Sequence, residues 1–406
     1  APGRGAPPPC HYRDKSIRRA APATAVLPAD AWTEGIVCRV WAVLGHVAKE
    51  MGHGPKFGFP CKDRNELAVE LARKAAAHSL DHKTVILTTT DDRYLSVLLN
   101  WFLSLREHSG GVAGSAIVGA YNWRAHDILA SVDAPVFPLI PRFTSGAMRH
   151  REGARRLDGV WIERGEIVLR LLEAGMNVLL SDSDAVWTSP ALTHLTPLAE
   201  QRSLDVVASA GTFPQSKARA LGGATAVMGF ILLRSTRTMV AAMAMAQRIS
   251  HRLGDDQIAF NTQLTRGNVT FHREEHVAPA LSQASTFVFS SHGAYPAPLR
   301  MLIVPATSVV RNCTPVGAEH ARSPRAVWRS RAHISGALVA HCLSIKSGGA
   351  KSEQLARVGL WSCPISWYTQ LMGYAPKALQ AATPGFNLQP GAQARFADHL
   401  EALYRT

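Results

Sequence analysis

Two acidic residues, Asp182 and Asp184, stand at the end of a short apolar run at positions 178–180 that is typical of a buried strand. Side chains alternate along a strand, so the spacing predicts that the two carboxylates share one face. Carboxylate oxygens are the ligands that hard divalent cations prefer. A cation held there can bridge a diphosphate group and neutralise charge on it as it departs. We therefore interpret this strand end as a metal site for diphosphate chemistry.

A solvated turn is the second interpretation of the same aspartates, because an acidic pair separated by one residue also occurs in surface loops. Gly175 and Pro190 bound the segment, which is consistent with a loop. The preceding apolar strand favours the metal site, since carboxylates beside a buried strand are costly unless they have partners. On the residues alone, both interpretations stay open.

The composition is that of a globular protein. The chain has 406 residues, of which 47% are hydrophobic and 18% charged, which suits one large domain or two smaller ones. No stretch approaches the roughly 20 consecutive apolar residues that span a bilayer, so we expect no membrane span. Residues 1–9 are rich in proline and glycine and lack an apolar core. No signal peptide is predicted there, and any targeting segment or anchor would lie upstream.

The formal net charge of +14 raises the question of nucleic-acid binding. The basic residues are scattered, however, with their densest stretch at 149–156, and neither zinc-finger spacing nor an RNA-binding aromatic motif is present. We interpret the charge as a solvated, arginine-rich surface that could also attract anionic substrates, and we expect no nucleic-acid partner.

Cysteine usage argues against a zinc module. The six cysteines are widely spaced without a paired C-x-x-C motif, and their even number permits disulfides but leaves the pairing open. Asn268 and Asn312 begin Asn-x-Thr sequons, which would be glycosylation acceptors in a secretory lumen. The sequons therefore favour the secretory pathway slightly.

Three segments are predicted along the chain. Residues 1–80 form an N-terminal extension that is partly disordered or helical, residues 81–375 form the core domain, and residues 376–406 form a helical tail. Candidate helices in the two outer segments lie at 31–49, 65–79 and 392–404.

Strands alternate with helices through the core domain, which predicts an α/β fold with a mostly parallel sheet flanked by helices. The predicted strands lie at 85–87, 116–118, 135–139, 178–180, 205–208, 230–233 and 339–343, and the predicted helices at 95–105, 123–130, 161–174, 236–251, 255–264 and 351–358. In such sheets ligands bind at the carboxyl ends of the strands. Thr88, Thr89 and Thr90 end the first strand, so we expect a nucleotide to contact them and the aspartate loop. Helix capping by the threonine run is an equally good and compatible interpretation.

Several ordered segments together resemble glycosyltransferase family 77, a group of nucleotide-diphospho-sugar transferases. The resemblance is carried, in order, by residues 84–90, 99–101, 172–187, 229–236, 255–261, 341–351 and 358–361. It covers roughly residues 84–361, and the order of the matches makes it more specific than any one of them. It implies a GT-A-like catalytic domain and metal-dependent sugar transfer.

The resemblance also implies a metal-ligand set. Asp182 and Asp184 would hold Mn²⁺ or Mg²⁺ together with His341, and the imidazole suits Mn²⁺ better. Lys346, beside a loop with two glycines at 347–349, would reach the pyrophosphate as that loop closes. Lys351 is a further substrate-binding candidate, although a lysine at a helix start is usually solvated.

The remaining site residues are assigned on the same resemblance. Asp256 and Gln257 are catalytic candidates that would hold the transferred sugar or face its anomeric carbon, although Asp256 also suits a helix N-terminus electrostatically. Arg164 is a candidate for phosphate binding or a surface arginine, and Ser183 is a substrate-binding candidate between the aspartates. Family members retain the anomeric configuration, by front-side transfer or through a covalent intermediate.

Three departures from the family pattern stand out. Ser183 replaces the branched or apolar residue that is usual between the aspartates. The strand near Gly229 begins Val227-Met228 instead of with an asparagine-glycine pair, which leaves the choice of sugar or acceptor open. The N-terminal extension has no counterpart in the family.

The sequence thus predicts a retaining, metal-dependent glycosyltransferase that uses a nucleotide-sugar donor, with UDP-galactose, UDP-arabinose or UDP-xylose expected. The acceptor would be a polysaccharide or a glycoprotein, and the location the Golgi lumen or another part of the secretory pathway. The alternative is a non-catalytic carbohydrate-binding or scaffold protein with the same fold. A phosphohydrolase with an aspartate nucleophile ranks last, because residues 84–181 of the core precede the pair and Ala185 follows it.

Overall fold

The computed structural model describes residues 64–130, 134–139, 155–267, 269–274, 286–291, 295–305, 307–311, 313, 336–342, 351–352, 354–355, 358 and 360. Several sequence predictions fall outside these residues: the helices at 31–49 and 392–404, the tail at 376–406, the sequon residues Asn268 and Asn312, the glycine loop at 347–349, and Lys346. Four of the six cysteines, Cys10, Cys38, Cys61 and Cys363, are likewise outside the described residues.

A nine-stranded sheet forms the centre of the described chain, in the order β3-β2-β1-β4-β7-β6-β10-β9-β8. Its strands are β1 (Thr84–Thr90), β2 (Ala116–Ala120), β3 (Val136–Pro138), β4 (Asn177–Ser181), β6 (Val206–Gly211), β7 (Thr225–Leu233), β8 (Val269–Glu274), β9 (Thr286–Ser291) and β10 (Arg300–Val304). Seven of these strands run in one direction, and β7 and β9 run in the other. The predicted α/β fold with a mostly parallel sheet is confirmed.

Helices cover both faces of this sheet. They are α1 (Arg64–Ala76), α2 (Leu95–His108), α3 (Trp123–Ala130), α4 (Arg155–Glu173), α5 (Ala191–Gln201), α6 (Gln215–Ala220), α7 (Arg237–Leu253) and α8 (Asp256–Arg266). One core joins the sheet to α2, α3 and α5, and a second joins it to α1, α4, α7 and α8. The structure is therefore three-layered, as predicted for a sheet that is apolar on both sides.

Alternation along the central strands explains the two cores. Within β1, Ile86 packs into the first core, and its neighbours Val85 and Leu87 pack into the second. In β4, Leu179 belongs to the first core and Leu180 to the second. Because these side chains are buried on one face or the other, the runs at 85–87 and 178–180 are continuously apolar and do not alternate with polar residues.

A second sheet has three strands in the order β11-β12-β5, and its strand β5 follows β4 of the main sheet in the chain. Its strands are β5 (Ala185–Trp187), β11 (Val309–Val310) and β12 (Val339–His341). β12 runs antiparallel to β5 and parallel to β11. A disulfide between Cys313 and Cys342 joins the chain just beyond β11 to the chain just beyond β12, with the two Cα atoms 5.2 Å apart.

Helix α7 shows how local sequence sets the element ends. Thr236 caps its first turn by accepting a hydrogen bond of 3.1 Å from the backbone N–H of Met239. Gly254 ends it with a φ of +74°, in the left-handed region that glycine adopts without strain. These two residues account for the close agreement with the predicted helix at 236–251.

Strand β7 is longer than the predicted strand at 230–233, because residues Thr225 to Val227 also pair with β6. The pairing shifts register between Ala208 and Ser209 of β6. The first half of β7 therefore pairs with β6 in a different register from its second half.

Helix α1 lies within the predicted N-terminal extension and packs onto the main sheet. Ala68 and Ala72 are fully buried in the second core. Arg64, at its start, forms a buried ion pair with Glu163 of α4.

The segment boundaries at residues 80 and 375 stay predictions. Within the described part of the chain, no helix has the length and apolar character needed to cross a membrane.

We expect Asn261→Ala to lower the free energy of unfolding by about 2 kcal/mol, because it leaves buried backbone groups without partners. The fully buried Asn261 accepts from the backbone N–H of Ala226 at 2.9 Å and donates to the carbonyl of the same residue at 2.8 Å. Urea unfolding followed by circular dichroism measures the change. Thr265→Ala, which removes a hydrogen bond within the same helix at a half-buried position, serves as the control and should cost about 0.5 kcal/mol. Equal effects of the two substitutions would contradict this role for Asn261.

Candidate metal centre at the edge of the main sheet

The two aspartates lie in a turn that connects the two sheets. Asp182 follows the last residue of β4, and its backbone N–H donates to the carbonyl of Gly229 on β7 at 2.7 Å. The N–H of Ala185, which begins β5, donates back to the carbonyl of Asp182 at 2.9 Å. The two carboxylates lie close together, as expected, but strand alternation is not the reason, because both aspartates are beyond the end of β4. The tight turn brings them together instead.

His341 completes the cluster from the end of β12. Its Nε2 atom lies 3.3 Å from Oδ1 of Asp184 and 3.6 Å from Oδ2 of Asp182. The potential ligand atoms of the three residues all lie within 4.8 Å of one another. The side chain of Asp182 is 30% exposed and that of His341 is 8% exposed, so the cluster opens to solvent on the Asp182 side.

The surroundings of the cluster fit a divalent ion. Two carboxylates and one imidazole are a donor set suited to first-row divalent metals. Gly229 lies directly against the cluster, where a Cβ atom would overlap Cε1 of His341 and Oδ2 of Asp182. The absence of a side chain at this position leaves room for the three ligands, and the residues present could hold a divalent metal ion.

We expect Gly229→Ala to weaken Mn²⁺ binding roughly tenfold or more, because the added methyl group displaces His341 or Asp182. Isothermal titration with Mn²⁺ measures this directly. Ile231→Val, a buried conservative change on the same strand, is the matched control and should leave the affinity unchanged. Wild-type affinity in the alanine variant would show that these side chains do not bind the ion.

Lys351 neutralises the second aspartate. Its Nζ atom lies 2.9 Å from Oδ2 of Asp184 and donates to the carbonyl of Cys342 at 2.5 Å, and the lysine is 1% exposed. Burial alone would raise the pKa of Asp184, but His341 and Lys351 hold that pKa well below its ordinary value. Asp184 is therefore a carboxylate at neutral pH, as a metal ligand must be.

Arg164 of α4 joins the first aspartate to the start of α8. It donates from Nη1 to Oδ1 of Asp182 at 2.6 Å and from Nε to Oδ2 of Asp256 at 2.8 Å. Burial would lower the pKa of Arg164, but Asp256 and Asp182 raise it above its ordinary value. The guanidinium thus remains charged and bridges two carboxylates. Its predicted contact with phosphate stays a prediction.

The two catalytic candidates begin α8. Burial raises the pKa of Asp256 to about 6, although the Arg164 guanidinium opposes this shift. Gln257 donates from Nε2 to the carbonyl of Phe213, in the loop after β6, at 2.9 Å. Asp255 caps the helix by accepting from the N–H of Ile258 at 2.7 Å. Asp256 is therefore linked to the metal cluster through Arg164, and its role towards the sugar stays a prediction, as does that of Gln257.

The threonine candidates lie in the carboxyl-terminal half of β1, all three buried. Oγ1 of Thr88 is buried without a hydrogen-bond partner among the described residues, and Oγ1 of Thr90 donates to the carbonyl of Asp91 at 3.1 Å. Asp91 caps the short 3-10 helix that follows. Thr89 and Ser183 are 8% and 6% exposed. Substrate contacts by these residues stay predictions.

Sequence reasoning missed two supports of the site. Trp101 donates from Nε1 to Oγ of Ser181, next to the first aspartate, at 3.0 Å. The Cys313–Cys342 disulfide lies next to His341. Trp101 belongs to a segment that carried the resemblance, but no motif marks the disulfide pairing.

The comparison with protein families agrees with this geometry. Residues 115–308 match the family model described as nucleotide-diphospho-sugar transferase. The predicted resemblance to a nucleotide-diphospho-sugar transferase family is confirmed over these residues. The matched segment includes the aspartate turn and Asp256 and suggests a glycosyltransferase. The structure adds His341, from beyond that segment, to the candidate metal site of Asp182 and Asp184. A search of curated proteins found no match to the chain.

We expect reduction of the disulfide to weaken Mn²⁺ binding roughly tenfold, because the crosslink holds the end of β12 and thereby orients His341. Titration of Mn²⁺ before and after treatment with a phosphine reductant measures the effect. The double variant Cys313→Ser, Cys342→Ser should bind like the reduced wild type and should not respond to the reductant. If oxidised and reduced protein bind Mn²⁺ equally, the disulfide does not position the histidine.

Proposed function

We propose that the protein is a retaining, metal-dependent glycosyltransferase that moves a sugar from a nucleotide-diphosphate donor to a glycan or glycoprotein acceptor. The observation that carries this proposal is the cluster of Asp182, Asp184 and His341 within and beside the matched family segment. Nε2 of the histidine lies within 3.6 Å of an oxygen on each aspartate. This arrangement supports shared ligation of one ion.

The metal proposed for this site is Mn²⁺, with Mg²⁺ as the second choice, because an imidazole ligand suits a transition metal. When bound, the ion would supply electrostatic stabilisation of the donor's diphosphate. Asp182 and Asp184 would hold it from the turn, and His341 would hold it from β12. Lys351 keeps Asp184 ionised, and Arg164 fixes the orientation of Asp182.

The position of the cluster favours a nucleotide donor. The turn follows the carboxyl end of β4, next to the carboxyl end of β1 in the sheet. Ligands of α/β sheets bind at such ends. A uridine nucleotide carrying galactose, arabinose or xylose is the donor that the family resemblance supports, and a polysaccharide or glycoprotein is the acceptor.

We also propose that the protein works in the secretory pathway, in the Golgi lumen. The Cys313–Cys342 disulfide supports an oxidising compartment, since structural disulfides persist there and are rare in the cytosol. The two sequons are consistent with the same location.

We expect UDP to bind in a Mn²⁺-dependent manner and Asp184→Asn to weaken that binding roughly tenfold or more, because the variant loses a charged metal ligand. Isothermal titration with UDP, with and without Mn²⁺, measures the effect, and GDP tests the choice of base. Glu200→Gln removes an exposed carboxylate from the end of α5 and is the matched control.

Two outcomes of this titration decide the proposal. Metal-independent binding that Asp184→Asn does not change would reject the metal-dependent mechanism. Metal-dependent binding without release of UDP from any common UDP-sugar, in the presence or absence of acceptor glycans, would favour the non-catalytic carbohydrate-binding alternative.

A further inference from the structure

Arg311 is a cation beside the metal cluster whose guanidinium is not paired with a carboxylate within the described part of the chain. Arg164 is engaged by Asp182 and Asp256, and Lys351 by Asp184. By contrast, no described residue lies within ion-pair or hydrogen-bond distance of the Arg311 guanidinium, and its Nε atom is buried without a partner there. A buried donor of this kind is costly unless a ligand satisfies it.

The register of the small sheet places Arg311 beside the histidine of the cluster. Val310 at the end of β11 pairs with Ala340 of β12. The next residues along the chain are Arg311, just beyond β11, and His341, the last residue of β12. Arg311 therefore follows directly on the strand that pairs beside His341. The charges of Asp182 and Asp184 act on its guanidinium, which places the arginine near the two aspartates.

The guanidinium reaches the edge of the main sheet. A Cβ atom placed on Gly211, the last residue of β6, would lie 3.1 Å from Nη1 of Arg311. Gly211 therefore leaves the space that this group occupies. The carboxyl end of β6 lies at the same edge of the main sheet as the carboxyl end of β4, because the two strands run in the same direction on either side of β7.

The electrostatics of Arg311 differ from those of the paired cations. Burial lowers the pKa of Arg311, and the nearby charges of Asp182 and Asp184 only partly oppose this. The carboxylates of the cluster act on the Arg311 guanidinium through space without forming a salt bridge to it. A positive charge in this position would be stabilised by an anion that approaches the cluster from outside.

We propose that Arg311 binds the diphosphate of the donor, with its guanidinium donating to phosphate oxygens next to the metal. The inference rests on the proposed function and deepens it by assigning an anion-binding residue that the sequence did not indicate. The planar guanidinium presents parallel N–H donors that match two phosphate oxygens. The disulfide at Cys313 holds the chain just beyond this arginine, so that the group stays in place before the donor binds.

The test compares nucleoside diphosphates with nucleosides on the full chain in the presence of Mn²⁺. We expect Arg311→Gln to weaken UDP or GDP binding by about tenfold to a hundredfold, the loss that follows removal of a charge-assisted hydrogen bond. Binding of uridine or guanosine alone should not change, because Arg311 contacts only phosphate. Arg311→Lys should have an intermediate effect, since it keeps the charge but not the planar geometry.

Arg170→Gln is the matched control, because it removes the same charge from an exposed pair with Glu173 in the last turn of α4. A titration with Mn²⁺ alone confirms that the cluster of each variant is intact. Nucleoside-diphosphate affinity in Arg311→Gln equal to that of Arg170→Gln would overturn the inference, and so would an equal loss of nucleoside binding. If Arg311→Gln does not fold, the affinity of Arg311→Lys decides, and a value equal to wild type overturns the inference. A wild-type chain that binds neither diphosphate with Mn²⁺ contradicts the proposed function itself.

Discussion

The site depends on the balance between clustered carboxylates and the cations that pair with them; Asp256 is buried, and Asp182 and Asp184 are half-buried. Asp182, Asp184 and Asp256 lie close together at one edge of the sheet, and each would be unstable there without a counter-charge. Arg164 bridges the first and third, and Lys351 pairs with the second. These contacts join α4, α8 and the chain beyond β12 to a single turn. Removing Arg164 would leave the buried carboxylate of Asp256 unpaired, which costs about 3–5 kcal/mol, so the network organises the fold as well as the site.

The turn between β4 and β5 brings the charged groups of the site together. It ends a strand of the main sheet and starts a strand of the small sheet, and its two hydrogen bonds tie it to Gly229 and Ala185. Because β12 pairs with β5, His341 arrives opposite Ala185, next to the second aspartate. The candidate metal-ligand set is therefore assembled from two sheets by one reversal of the chain. A side chain on Gly229 would occupy the space in which the two sheets meet.

Local patterns allowed most of the main sheet and its helices to be predicted. The apolar strands around Ile86 and Leu179 and the capped helix after Thr236 carry strong signals because their burial and their ends are set by nearby residues. The Asp-x-Asp pair was found for its chemistry, but the reason given for the closeness of the two carboxylates was wrong, since a turn cannot be told from a strand end at that spacing.

Arg164 and Asp256 are 92 positions apart, and no periodicity marks such a pair. Arg311 follows a strand of two residues, which is too short for a pattern.

The charges of the proposed site favour an anionic ligand as well as a metal. The three carboxylates exceed the two paired cations by one negative charge, which favours entry of a divalent ion. With a divalent ion bound and Arg311 nearby, the same groups carry an excess of positive charge. A nucleoside diphosphate supplies compensating negative charge, so metal and donor should bind more tightly together than apart. An uncharged glycan gains nothing from this excess of charge, so the electrostatics favour a site that receives the nucleotide first and orders the sugar through it.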